Sequence, residues 1–139
     1  ESRLPAGFKG EVRAGDLRDE AYLEHLLDGV DVLVNAASWS SLHGHERKSR
    51  QLFLEPTMKL IDAWLRSRAA RLVNISTASA AAPERSADAL SEGIPRRFWP
   101  HLVNVVNIEN ELRLAATRDK TVVNLRLGIF AGEHYGLGV

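Results

Sequence analysis

The chain has 139 residues, of which 45% are hydrophobic and 26% charged, and this composition predicts one globular domain with its own core. Its 18 basic residues balance 18 acidic ones and no run of five like charges occurs, which argues against nucleic acid or a membrane surface as partner. No apolar run approaches the roughly 20 residues of a membrane span and cysteine is absent, so we expect a cytoplasmic protein with a small-molecule ligand.

The first third of the sequence predicts two strands separated by a helix. "EVRAGDL" predicts a short strand over residues 11–15. Hydrophobic residues then recur at the i, i+3, i+4, i+7 spacing of one helix face: Leu23, Leu26, Leu27 and Val30. Asp19 is placed to cap this helix and Gly29 to close it. The run "VDVLVNAA" predicts a strand over residues 30–36 that is buried on both faces, which favours parallel pairing.

The rest of the chain continues the alternation of helices and strands. Paired apolar residues predict a helix over residues 49–69, which Pro56 should kink or delay. Further elements are predicted as a strand over 71–76, a surface excursion over 80–100, a helix over 102–116 and a strand over 121–127. Such alternation predicts an α/β fold with a parallel sheet and helices on both of its faces.

The stretch "RLVNISTASAAAP" suggests where chemistry takes place, because an apolar strand ends there in hydroxyl groups. Ligands of parallel α/β sheets bind outside the carboxyl ends of the strands. Thr77 is therefore the first candidate for a catalytic hydroxyl and Ser79 the second. The alternative is that both hydroxyls only bond the backbone at the strand end.

Several motifs, taken together, resemble the extended short-chain dehydrogenases, the NAD-dependent epimerase/dehydratase family. They are "AGDLRDEAYLEHLLDGVDVLVNAASWS", "FLEPTMKLIDAWLRSRAARLVNISTAS", "NIENELRLAA" and "VVNLRLGIFAG", and they extend from about Val12 to the C-terminus. The resemblance implies a Rossmann-like, doubly wound dinucleotide-binding domain. It also implies NAD or NADP as cofactor and hydride-transfer chemistry by a Ser or Thr, a Tyr and a Lys.

The resemblance assigns cofactor contacts to residues at the strand ends. Asp16 corresponds to an aspartate that accepts a hydrogen bond from the adenine amino group, and Leu17 lies against the ring. The alternative for Asp16 is an aspartate that merely begins a turn. Asn35, Ala36 and Ala37 resemble the motif whose small side chains let the backbone approach the cofactor.

Two further stretches resemble family motifs around the nicotinamide. "STAS" is similar to the stretch that holds the catalytic hydroxyl, and its register favours Thr77, with Ser79 second. "RLG" resembles an "RPG" motif, with Leu127 in place of a proline that borders the nicotinamide pocket.

The family's glycine-rich phosphate loop is missing, because Gly7, Gly10 and Gly15 have neither its spacing nor its context and the segment before Val12 is too short to hold it. We therefore expect residues 1–139 to be an internal part of a longer chain. They would form a partial dinucleotide-binding domain, containing strands 3 to 6 of the family order and lacking its first βαβ part.

The family's Tyr-x-x-x-Lys pair is also missing. Matching Glu111 to the acidic residue that follows the pair places Val103 at the tyrosine and Asn107 at the lysine, where Asn107 could bond a ribose hydroxyl but supplies no charge. Another register places His101 at the tyrosine and Val105 at the lysine. In either register, standard acid–base chemistry by a phenol is lost.

Two classes of function follow. The first is an NAD(P)-dependent oxidoreductase or epimerase/dehydratase-like enzyme acting on a small molecule, such as a sugar nucleotide or a hydroxysteroid, with Thr77 and with His101 as the proton donor. The second is a non-catalytic NAD(P)-binding regulator or sensor of the same fold. In either case we expect Asp16, Ala36, Thr77 and Asn107 to line one cleft at the carboxyl edge of the sheet.

Two minor features complete the prediction. The stretch "SLHGHE" brings together His43, His45 and Glu46, and we interpret it as a loop lining the substrate cleft rather than as a metal site. The two long helices correspond to those that form dimer interfaces in many relatives, so the resemblance also implies a possible homodimer.

Overall fold

A computed structural model describes residues 7–39, 45–80 and 100–128, where strands and helices alternate along the chain. Its elements are α1 (Glu20–Leu27), β1 (Val32–Asn35), α2 (Glu46–Ser49), a π-helical segment (Arg50–Leu54), α3 (Glu55–Arg66), β2 (Arg71–Thr77), a 3-10 turn (Ala78–Ala80), α4 (Pro100–Ala115) and β3 (Thr121–Leu127). None of the helices in these ranges is long and apolar enough to cross a membrane.

The three strands form a parallel sheet in the order β1-β2-β3, as the sequence predicts. Val34 is paired with Val73 and Val73 with Val123, so the strands run in register. Both crossovers step in the same direction along the sheet. Right-handed connections therefore put α3 and α4 on the same face.

The core lies between that face and the helices. Its fully buried apolar residues are Leu23, Leu27, Leu60, Ile61, Ala63, Trp64, Ala69, Leu72, Ile108 and Leu112, with Leu33 and Val122 packed against them. On the opposite face of the sheet Val32, Val34, Val123 and Leu125 are exposed. Within the described residues the helices thus cover one face of the sheet, whereas the sequence predicts helices on both faces.

Helix α1 begins and ends where the sequence predicts. The Asp19 carboxylate accepts a hydrogen bond from the Ala21 N–H, which satisfies one of the free donors of the first turn. Gly29 has a φ of +73°, the left-handed conformation that suits glycine after a helix end.

The strand predicted over residues 11–15 is wrong, because this segment is irregular in the structure. Its hydrogen bonds go to α1 instead of a neighbouring strand. The Arg13 guanidinium donates to the carbonyls of His25 and Asp28 at the C-terminus of α1, and the Tyr22 hydroxyl donates to the Arg13 carbonyl. A strand needs a paired neighbour, and among the described residues β1 pairs only with β2.

Pro56 changes the hydrogen bonding of the long helical region, in agreement with the predicted kink. Proline has no N–H, so Pro56 cannot bond the carbonyl four residues earlier. Just before it, the Glu55 N–H reaches the Arg50 carbonyl, five residues back, as in a π-helix. Helix α3 then continues regularly to Arg66.

Lys120 joins the end of α3 to the start of β3. Its ammonium group donates to the carbonyls of Trp64, Ser67 and Ala69 at 3.0, 2.7 and 2.8 Å. The cation also lies 5.2 Å from the centre of the Trp64 ring. A positive charge at a helix C-terminus satisfies free carbonyls and interacts favourably with the helix dipole.

Candidate functional site

The carboxyl ends of the three strands meet at one edge, which we call the carboxyl edge. Thr77 is paired with Leu127 in the sheet register, and Ala36 and Ala37 follow the last residue of β1. Thr77 is half-buried and the two alanines are exposed. The structure therefore brings these four predicted site residues together.

Thr77 is also part of a local turn. Its Oγ1 accepts a hydrogen bond of 3.2 Å from the N–H of Ser79, and Ser79 itself is exposed. This is the backbone bonding that the sequence leaves open as the alternative reading. Since the Thr77 hydroxyl accepts in this bond, its own proton can still be donated to a ligand.

Three asparagines form a hydrogen-bonded ladder across the sheet beneath the carboxyl edge. The Asn35 amide N–H donates to Asn74 Oδ1 at 3.0 Å, and the Asn74 amide N–H donates to Asn124 Oδ1 at 3.1 Å. Asn35 and Asn74 are buried. Sequence reasoning missed this ladder, although the signal is present as "LVN", "LVN" and "VVN" in the three strands.

The ladder ends at the turn that the resemblance assigns to the cofactor. Asn35 Oδ1 accepts a hydrogen bond from the Ala37 N–H at 3.3 Å. The Asn35 side chain thus supports the turn, and Ala36 and Ala37 themselves are exposed. Asn35 is accordingly a residue that positions the turn.

A buried ion pair ties α4 to the ends of β2 and β3. Arg126 donates to Glu109 through Nε at 3.1 Å and through Nη2 at 2.6 Å, and the Ser76 hydroxyl donates to the same carboxylate. The side chains of Arg126 and Glu109 are only 15% and 2% exposed. Such a paired and hydrogen-bonded charge tolerates burial, whereas either ion alone would not.

The two registers that the sequence leaves open place their residues on different faces of α4. Residues 101, 105 and 109 share one face of α4 at four-residue spacing, and all three are buried. Asn107 and Glu111 are exposed and line a groove of about 650 Å³ between α3 and α4. The register with His101 and Val105 thus has its acidic residue, Glu109, buried in an ion pair, whereas the register with Val103 and Asn107 has an exposed one, Glu111.

Asn107 consequently does not join the predicted cleft. It faces Arg50, Leu54 and Met58 across the groove, away from the residues of the carboxyl edge. The expectation that Asp16, Ala36, Thr77 and Asn107 line one cleft is wrong for Asn107, because the helical repeat turns residue 107 away from residues 101, 105 and 109.

His101 lies in the first turn of α4, among polar and aromatic neighbours. Its Nδ1 is 2.7 Å from Ser49 Oγ, and the Asn104 amide N–H donates to that same oxygen at 2.8 Å. The rings of Trp39 and Phe53 lie 6.1 and 4.7 Å from the imidazole. Burial lowers the pKa of His101 below its ordinary value of 6.5, which favours the neutral ring.

Asp16 begins a turn and is also a candidate contact for adenine. Its carboxylate accepts from the Arg18 guanidinium and from the Arg18 N–H, and these bonds lower its pKa to about 2. The Arg18 carbonyl in turn accepts from Lys59, in the first half of α3. Because α3 starts at the carboxyl edge, this contact brings the turn to that end of the fold. Leu17 packs against the core.

The histidine-rich loop yields no metal site in the part of the chain that the structure covers. His43 lies outside the described residues, and His45 is exposed, with a φ of 59°. No group of three His, Asp or Glu side chains within residues 7–39, 45–80 and 100–128 could hold a metal ion.

Comparison with known protein families identifies the family to which this sequence is similar. The sequence profile of the 3-beta hydroxysteroid dehydrogenase/isomerase family matches residues 6–103. No curated protein matches the sequence. The match confirms the resemblance to the extended short-chain dehydrogenases on which the residue assignments rest.

Solved structures share the fold at low sequence identity. A UDP-glucose 4-epimerase of Thermus thermophilus, in complex with NAD, superimposes with a TM-score of 0.69 at 20% identity over 88% of this chain and 42% of its own. A short-chain dehydrogenase/reductase superfamily protein of Agrobacterium tumefaciens with bound NAD gives 0.67 at 21% identity, over 88% and 39%. A dTDP-glucose 4,6-dehydratase of Streptomyces venezuelae with NAD gives 0.62 at 24%, over 81% and 36%. The chain therefore spans about two fifths of these structures and has their Rossmann-like fold.

Proposed function

Since the chain belongs to the 3-beta hydroxysteroid dehydrogenase/isomerase family, we propose that the whole protein binds NAD and transfers hydride to or from a small molecule. The observation that carries the proposal is the gathering of Ala36, Ala37, Thr77 and Leu127 at the carboxyl edge. Small side chains, a hydroxyl and an apolar residue at that edge suit a nicotinamide and its ribose. A sugar nucleotide or a hydroxysteroid-like alcohol is the class of substrate we propose.

The described residues offer contacts for part of the dinucleotide only. Asp16 is half exposed and keeps lone pairs beyond those that Arg18 occupies, so its carboxylate can accept from an adenine amino group. The exposed turn at Ala36 and Ala37 allows close approach of the backbone. The pyrophosphate requires backbone donors at a helix N-terminus after a glycine-rich loop, which this sequence does not contain.

Thr77 and His101 are the residues we assign to the substrate oxygen. Helix α4 runs back along the sheet from the carboxyl edge, and its first half packs against Ala80, just after Thr77. His101 lies at the start of this half, and we adopt the register that gives it the position of the family's tyrosine, because the acidic residue of that register, Glu109, is buried in an ion pair. When bound, NAD would supply the hydride acceptor, while Thr77 and His101 would orient the alcohol or carbonyl by hydrogen bonds.

Calorimetric titration of the intact protein with NAD and with NADP tests the first half of the proposal. Turnover assays with hydroxysteroids and sugar nucleotides, following the absorbance of the reduced nicotinamide, test the second. Thr77→Ala should lower kcat by roughly 10²–10⁴-fold, the range for one lost catalytic group, with little change in cofactor affinity. Thr121→Ala, which removes a hydroxyl at the opposite end of the sheet, is the matched control. Absence of binding to either dinucleotide would refute the proposal.

A non-catalytic NAD-binding regulator is the second candidate function, and the active-site composition favours it. In the register that we adopt, a histidine and a valine, His101 and Val105, stand at the positions of the family's tyrosine and lysine, so this pair offers no ammonium group to hold the ribose or to activate an acid. In this case the protein would bind NAD with no turnover of any substrate. Thr77→Ala would then alter ligand binding alone.

Two further expectations stay predictions. We propose a homodimer in which the groove between α3 and α4 is covered, since Leu54, Met58 and Leu114 line it and Leu114 is 73% exposed. Light scattering of the intact protein, with Leu114→Glu as the disrupting variant, tests this proposal.

The cytoplasmic location of the protein is the second expectation, and cell fractionation tests it.

A further inference from the structure

The environment of His101 determines which of its two nitrogens carries the proton. Ser49 Oγ lies 2.7 Å from His101 Nδ1, and both side chains are buried. The same oxygen accepts a hydrogen bond of 2.8 Å from the Asn104 amide. An amide N–H can only donate, so Ser49 is an acceptor towards Asn104. The buried Ser49 O–H needs an acceptor of its own, and among the described residues His101 Nδ1 is the one within hydrogen-bond distance.

The direction of each hydrogen bond then follows along this chain of three residues. Asn104 donates to Ser49, and Ser49 donates to His101 Nδ1. A neutral imidazole has one N–H and one lone pair, and here Nδ1 supplies the lone pair. The proton of the ring therefore resides on Nε2.

We propose that Asn104 and Ser49 are positioning residues which hold His101 as the neutral Nε2–H tautomer, so that His101 acts on the substrate oxygen as a hydrogen-bond donor. The inference rests on the proposed function for the role of His101, whereas the tautomer itself depends only on the geometry. The buried position of the ring and its lowered pKa agree with a neutral imidazole at pH 7.

This assignment limits the chemistry available to His101. The chain of hydrogen bonds ends at an amide, which has no proton to give up at neutral pH, so Ser49 has no source from which to replace a lost proton. Loss of the Nε2 proton from a neutral ring would leave an imidazolate. His101 is therefore suited to stabilise negative charge on an oxygen electrostatically, and unsuited to the acid–base role of a phenol paired with a lysine.

Nitrogen-15 NMR of the histidine side chains in the intact protein tests the proposal directly. The chain contains five histidines, and loss of one signal set in His101→Gln assigns the ring. At neutral pH we expect a protonated Nε2 and an unprotonated Nδ1. A protonated Nδ1 in the wild-type protein would overturn the proposal, whatever the variants do.

Two variants separate a positioning role from a merely structural one. Ser49→Ala removes the donor and should give a mixture of both tautomers. Asn104→Asp replaces a donor by an acceptor, so the Ser49 hydroxyl turns towards the carboxylate and accepts from His101, which places a proton on Nδ1. Gln51→Glu adds a charge at a neighbouring exposed site and should leave the tautomer unchanged. A wild-type spectrum from Asn104→Asp would contradict the proposed direction of the bonds.

The kinetic readout connects the tautomer to function. If the protein turns over a substrate, Ser49→Ala should reduce kcat by at least tenfold with KM little changed, because the donor is needed most where charge develops on the oxygen. If the expected tautomer is found and no substrate is turned over, the proposed enzymatic function fails while the tautomer assignment stands. A changed tautomer with unchanged kcat would refute the role given to His101.

Discussion

Substituting Asn74 by leucine should destabilise the protein through the two partners that it leaves behind. Asn74 is 4% exposed and joins the ladder on both sides, to Asn35 and to Asn124. A buried polar group that loses its only partner costs about 1–3 kcal/mol. Asn124 is half-buried and recovers part of this from water, so we expect a total cost of about 2–4 kcal/mol. This is a large share of the roughly 5–15 kcal/mol that stabilises a typical domain.

Urea unfolding followed by circular dichroism measures this cost as a lower midpoint at unchanged m-value. Asn107→Leu, on the exposed face of α4, is the matched control and should stay within about 0.5 kcal/mol of wild type. Replacing Asn35, Asn74 and Asn124 together by leucine should recover part of the loss, because no ladder amide is then left unpaired and water can reach the exposed Ala37 N–H that Asn35 releases. If Asn74→Leu costs no more than the control, the ladder does not stabilise the sheet and the reasoning is refuted.

Three further changes test other contacts. Arg126→Met leaves the Glu109 carboxylate buried without its ion and should cost about 3–5 kcal/mol in urea unfolding. Lys120→Met removes three donors from the end of α3 and should lower the free energy of unfolding by roughly 1–3 kcal/mol, seen as a lower melting temperature. The folded pKa of Asp16, about 2, lies below its ordinary 3.8, so its contribution to stability is complete above pH 3.8 and is lost as the pH falls towards 2. Asp16→Asn should lose stability less steeply than wild type in that window, measured by urea midpoints against pH.

Periodicity and capping residues predicted most of the fold. Strands β1, β2 and β3 are apolar runs between helices, and a parallel order follows from that alternation. Asp19 and Gly29 marked the ends of α1 because their chemistry is local. The segment over residues 11–15 failed for the opposite reason, since strand formation depends on a neighbour that sequence pattern alone does not supply.

The candidate site was predictable only where it consists of strand ends. Thr77 and Leu127 meet because parallel strands in register bring their ends to one edge. Side-chain pairs such as Glu109 with Arg126 join residues that are 17 apart, and Ser49 with His101 joins residues 52 apart. Nothing in local spacing indicates such partners. The recurrence of "VN" in the strands was a usable signal, because equal positions in parallel strands become neighbours.

Glu109 and Glu111, which belong to the two alternative registers of the motif, differ in their surroundings. Both are glutamates on α4 and differ by two positions, which on a helix is a rotation of about 200°. Only Glu109 is buried, and its partner Arg126 lies in the "RLG" motif at the end of β3. If Glu109 is the acidic residue of the motif, as its burial supports, the tyrosine position falls on His101, a residue whose neutral ring can donate a hydrogen bond. Whether the protein is an enzyme or a sensor then depends on whether that hydrogen bond suffices for hydride transfer. The tautomer of His101 and the turnover of substrate therefore have to be measured on the same protein.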